Sequence, residues 1–201
     1  MLAYESIIVR REILGGPTVK ETITTPQSRT EAERDHMKEL FEELGLEFEK
    51  INPNILRKLI LLDEKTETFK DEERSIQLAR ALFEYYESEL PEEKFTDDEQ
   101  RTVLIGTMFT DIGKTGPRDA TPEQEELVLS IYNVENVANP QTTTLSEFMN
   151  ENFSEDAGNR LITLEEMGIK GSTTMREFYN LHSKWTLGII KGDGVPPEAV
   201  A

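Results

Sequence analysis

The sequence predicts a mainly α-helical domain preceded by a short N-terminal β-hairpin, and three observations carry that prediction. Nearly every segment after Thr30 opens on a helix-capping residue and continues with apolar side chains at helical spacing. Residues 4–24 instead alternate apolar and polar side chains around Gly15-Gly16-Pro17. Finally, 36% hydrophobic residues, with Trp185, nine Phe and five Tyr in a chain of 201, are enough to build a core that a disordered chain of the same charge would lack.

Taken in order, Tyr4 to Leu14 and Thr18 to Thr24 form the two arms of the expected hairpin. An isolated hairpin is marginal in water, so it is expected to lie on the helical body or to pair with another chain. Thr30-Glu31-Ala32-Glu33 is a capping box ahead of Met37, Leu40, Phe41 and Leu44, and Gly45 ends that helix. Asn52-Pro53 opens a second helix through Leu62. Asp71 caps a third, with Ile76, Leu78, Ala79, Leu82, Phe83 and Tyr86 as its apolar stripe. Thr96 caps a fourth through Phe109, and Thr121-Pro122 opens a fifth through Tyr132. Shorter helices are expected at Leu145 to Phe153 and Thr163 to Met167, then a long one from Thr173 or Thr174 to Ile190. Pro196-Pro197 starts a further turn.

The polar stretch from Thr24 to Arg29 is the expected seam, giving a hairpin arm over 1–28 and a helical domain over 29–201. Asn136 to Thr144 reads as a surface loop, and no repeat or low-complexity tract is evident. With 22 Lys and Arg against 40 Asp and Glu, the net charge of −18 argues against nucleic-acid phosphate or an anionic membrane as partner. The expected partner is a protein or a second copy engaged through the hairpin. The charged residues among the apolar ones of Met1 to Leu14 fit neither a secretory signal nor a spanning helix, so a cytoplasmic location is the default expectation. The acidic pairs Glu42-Glu43, Glu72-Glu73, Glu92-Glu93, Asp97-Asp98 and Glu125-Glu126 read as solvated faces that complement helix dipoles.

Cysteine is absent, which removes disulfides, thiolate metal sites and thiol nucleophiles, and only His36 and His182 supply imidazole. His36, between Asp35 and Met37 on an acidic helix, is expected to face solvent; His182, near Phe178 and Trp185, to be partly buried. Gly113-Lys114-Thr115 is not a phosphate-binding P-loop, because Met108 stands where its first glycine belongs and Gly116-Pro117 replaces the following helix. A calcium loop starting at Asp111 fails as well, with Gly113, Thr115 and Pro122 at ligand positions.

The most informative segment is Phe109-Thr110-Asp111-Ile112-Gly113-Lys114, at the end of an apolar helix. It resembles the His-Asp-Ile-Gly-Lys signature of the HD superfamily of metal-dependent phosphohydrolases, closest to the HD-GYP branch. Arg74-Ser75-Ile76-Gln77-Leu78-Ala79 is similar to that family's upstream His-Ser-x-x-Val-Ala helix, and Lys170 to Phe178 to a Lys-Pro-Gly-x-Leu-Thr-x-Glu-Glu stretch. His182 to Ile190 looks like its His-Pro-x-x-Gly-x-x-Ile-Leu. The likeness runs from Arg74 to Ala201, with an apparent insertion around 117–167.

The resemblance implies an HD-like helical domain in which a divalent ion (Mn, Fe or Mg) activates water for attack on phosphorus. It implies Asp111 and His182 as metal ligands and Lys114 as a contact to substrate phosphate. Two ligand positions are replaced: Arg74 and Thr110 stand where histidines belong. A cationic Arg repels a metal ion and Thr is a poor ligand, but Arg74 turned toward Asp111 would substitute a salt bridge for the metal. The reading is therefore a degenerate HD-like domain, without a complete metal site or cofactor, serving regulation or protein assembly. Its alternatives are an active hydrolase of a phosphoester or cyclic nucleotide, and a structural or interaction protein whose motif similarity is accidental.

Overall fold

Helix caps place the elements. The structure, a computed structural model, describes residues 26–200 apart from 67 and 193, with side chains from 34 to 199. Among the described residues the chain forms eight α-helices: α1 Pro26–Glu43, α2 Pro53–Lys65, α3 Thr68–Glu89, α4 Asp97–Phe109, α5 Pro122–Tyr132, α6 Leu145–Asn152, α7 Ala157–Glu166 and α8 Met175–Ile190. Thr96, Thr121, Thr144 and Thr174 each complete a reciprocal capping box, and Asn52 caps α2 through Asn54 N. The mainly helical expectation holds. The hairpin expected between Tyr4 and Thr24 lies outside the described residues, and α1 begins at Pro26, ahead of the box expected at Thr30. Helix α3 begins at Thr68, which puts Asp71 in its first turn, and α7 starts upstream of the expected Thr163. No helix among the described residues is long and apolar enough to cross a membrane.

Two apolar cores result. The first gathers Phe41 of α1, Leu59 of α2, Ile76 of α3, Phe109 of α4 and Ile189 of α8. The second is built by α5 to α8 around Val128, Leu145, Phe148, Leu164, Met175 and Phe178. Trp185 packs against both, so α8 is the shared wall.

The second core contains an internal symmetry that the sequence reading missed. Thr143-Thr144-Leu145-Ser146-Glu147-Phe148 and Thr173-Thr174-Met175-Arg176-Glu177-Phe178 take equivalent positions, with Thr144 and Thr174 paired in a lone antiparallel bridge. Leu145 N donates to Thr173 O and Met175 N to Thr143 O, each at 2.8 Å; Ser146 N donates to Gly171 O and Arg176 N to Pro140 O. Each helix thus has its first free N–H groups satisfied by the other loop and its third-position N–H by its own threonine.

The cores meet over the segment 110–117, which turns through a short 3-10 helix, Ile112–Thr115. Lys58 of α2 is fully buried there; its Nζ donates to Thr115 O at 3.3 Å, Pro117 O at 3.0 Å and Glu125 Oε1 at 2.6 Å. Glu125 is also fully buried and is forked by Arg57, against the expectation of a solvated acidic face at Glu125-Glu126. Burial pushes its carboxyl up, but the hydrogen bonds from Arg57 and Lys58 outweigh that and hold its pKa below the usual glutamate value. Its contribution to stability is therefore present above the unfolded-state pKa and lost as pH falls through the folded one. Lys58→Met leaves Glu125 and two carbonyls without their central donor, and is expected to lower unfolding free energy by about 3–5 kcal/mol in urea titrations at pH 7. A loss below about 1 kcal/mol would show the pair to be dispensable.

Candidate functional site

The site predicted from sequence sits at the end of α4, where α3 and α8 close on the 110–117 segment. Gly113 is there for space: a Cβ on it would lie 2.0 Å from His182 O and 2.7 Å from Thr186 N. The backbone of the turn therefore rests directly on α8. Thr186 Oγ1 accepts from Gly113 N and donates to Thr110 O, both at 3.0 Å, so one hydroxyl joins both sides of the motif to the helix.

Asp111 is the polar centre. Lys114 Nζ donates to its Oδ2 at 2.7 Å, and both side chains are about one quarter exposed. His182 Nε2 lies 3.7 Å from Oδ1, beyond hydrogen-bond length. The imidazole Nδ1 contacts Tyr179 O, and Ser183 Oγ is 3.4 Å from Nε2. Tyr132 stands edge-on to the His182 ring at 6.2 Å. Burial, reinforced by the negative charge of Asp111, raises the tyrosine's pKa. On its other side Tyr132 walls a cleft of about 570 Å³ between the end of α2, the start of α3 and Asn133.

The structure thus brings together Asp111, Lys114 and His182, but not the two replaced positions. Arg74 is exposed and pairs with Asp71 at 2.8 Å instead of turning to Asp111, because its position on α3 points away from the core. Thr110 spends its hydroxyl on Gly106 O. His36 is half exposed, as expected, and meets Glu73.

A residue that sequence reasoning missed occupies the α3 side. Glu72, assigned with Glu73 to a solvated face, is only 5% exposed, and its Oε1 accepts from Asp111 N at 2.8 Å while Oε2 has no partner. Burial, aided by Asp111, raises its pKa to about 9 against the opposing Asp111 N–H bond and the Lys114 charge. The carboxyl is therefore neutral at pH 7. Its signal in the sequence was helical phase, since Glu72 stands four residues before Ile76 on the buried side of α3.

This donor set does not fit the divalent ion that the resemblance implies. One Asp111 oxygen faces an ammonium, Glu72 Oε1 is taken by the Asp111 N–H, and Arg74 and Thr110 are turned elsewhere. Among the described residues, no group of three or more His, Asp or Glu side chains is arranged to hold a metal ion.

The chain matches no protein-family model, no curated protein and no solved structure.

Two measurements check the geometry. Gly113→Ala is expected to cost about 3 kcal/mol or more of stability, because the added methyl meets backbone instead of a movable side chain; a neutral thermal-unfolding result would contradict the close approach. For Glu72 the folded pKa lies above the unfolded one, so holding it neutral costs nothing below the unfolded pKa and progressively more as pH rises toward 9. Glu72→Gln should match the parent near pH 4 and exceed it by about 4–5 kcal/mol at pH 8. Parallel pH profiles for the two proteins would overturn the assignment.

Proposed function

We propose that this chain is an HD-like helical domain that does not run metal-dependent turnover and instead serves regulation or protein assembly. The observation that carries the proposal is what the other helices bring to Asp111: Arg74 of α3 is turned to solvent on Asp71 and His182 of α8 stays 3.7 Å away, so the nearest cation is Lys114, on Asp111 Oδ2 at 2.7 Å. The rest of the motif supports the same reading. Gly113 serves backbone packing against α8, Thr115 is buried with its hydroxyl on Ile112 O, and the Thr110 and Asp111 backbone groups are bonded to Thr186 and Glu72.

The meeting of the motif with α8 supports an architecture related to that superfamily over an accidental short match, while the family-matched position on α3, Arg74, does not join it. The proximity of Asp111 and His182 is the one feature that favours the competing hydrolase. Elemental analysis after growth and purification with manganese and iron separates the two readings. The expected result is less than about 0.1 equivalent of metal, and no metal-dependent release from generic phosphomonoester or phosphodiester substrates beyond that of Asp111→Ala. Stoichiometric metal that disappears in Asp111→Ala, or hydrolysis that does, would overturn the proposal.

A further inference from the structure

The apolar stripe expected on α3 is divided by the structure. Ile76 and Phe83 are buried, at 2% and 7% exposure, but Leu78 and Leu82 are 64% and 50% exposed, and Tyr85 joins them at 54%. Their spacing of four and then three residues puts all three on one face, opposite the core-facing Phe69, Ile76 and Phe83. Arg74 precedes this stripe and Glu89 follows it on the same face, and both are exposed. Three large apolar groups in a row on a helix of 22 residues, about 33 Å long, call for a partner.

We propose that this face is a self-association surface, on which α3 of one copy packs antiparallel against α3 of a second. Charge complementarity selects both the occupant and the direction. A two-fold axis between Ala81 and Leu82 sets Leu78 of each copy against Tyr85 of the other and Ala81 against Leu82. It also sets Arg74 against Glu89 at both ends. A parallel pair would instead face Glu89 with Glu89 and Arg74 with Arg74, with like charges at both ends. The contact is isologous and closes as a dimer. Arg74 keeps donors for this role, since its bond to Asp71 runs through a single nitrogen of the guanidinium. One helix face is smaller than the roughly 800 Å² per partner of a standard interface, so the dimer is expected to form in the micromolar range. The inference extends the assembly half of the proposed function. It rests on α3 alone, so the metal and turnover measurements at Asp111 can fail without touching it, and it can fail without touching them.

Sedimentation velocity of the full chain from about 1 to 200 μM is the test. The expected result is a reversible monomer–dimer equilibrium that Leu82→Lys weakens at least tenfold. Circular dichroism checks that this variant keeps its helices, since the substituted position is solvent-facing. Arg74→Glu and Glu89→Arg should each weaken association about threefold to tenfold, and the double exchange should recover it, which a general loss of folding would not do. A chain that stays monomeric throughout, or a dimer indifferent to Leu82→Lys, overturns the proposal. So does photo-crosslinking from position 85 that captures residues 1–25 of the same chain, which would make that segment the occupant.

Discussion

The buried ammonium of Lys58 is the constraint on which the rest of the structure depends. It lies where α2, α5 and the 110–117 segment meet, and it serves Glu125 together with the carbonyls of Thr115 and Pro117. Removing two charges from water costs several kcal/mol each, and the pair is tolerated because both ions are multiply bonded, with Arg57 completing the carboxylate. An apolar pair of the same volume would fill the space as well. It could not hold two loop carbonyls in place, and those carbonyls fix the turn that presents Asp111.

From that point the architecture extends outward through backbone. The turn is short enough that Gly113 touches α8 directly, and Thr186 fastens it there. Helix α8 cannot shift without disturbing Trp185, which packs against both cores. The paired loops ahead of α6 and α8 add a second fixed point. Each supplies carbonyls to the first turn of the other's helix, so neither helix start is complete without its counterpart. The start of α8 is thereby set by the second core and its end by the first, and the motif lies against its middle.

What could be read from the sequence was what is local in it. Capping boxes at Thr96, Thr121, Thr144 and Thr174 are contained within four residues, and all four formed. The Asp111-Ile112-Gly113-Lys114 element is local as well, and it falls where the end of α4 packs on α8. Partners far apart in the chain were not legible. Lys58 and Glu125 look like ordinary surface charges until α2 and α5 pack together, and Glu72 differs from its neighbour Glu73 only in helical phase. The apolar stripe of α3 erred in the other direction. Hydrophobicity marks a side chain as wanting burial but does not say against what, so Leu78 and Leu82 read as core when the core takes only Ile76 and Phe83.

The same distinction bears on how the motif is to be understood. Its glycine is demanded by the approach of α8, and its lysine, three residues after the aspartate, reaches the carboxylate within one helical turn. Both requirements are structural and would hold in a chain that never bound a metal. The four residues alone therefore do not separate an enzyme from a scaffold. The separating information lies in the groups that converge on Asp111 from other helices. Here α3 contributes a neutral glutamic acid and a solvent-facing arginine, and α8 a histidine beyond hydrogen-bond reach. A carboxylate so placed, with an internal ammonium as its nearest cation, has its charge balanced within the fold.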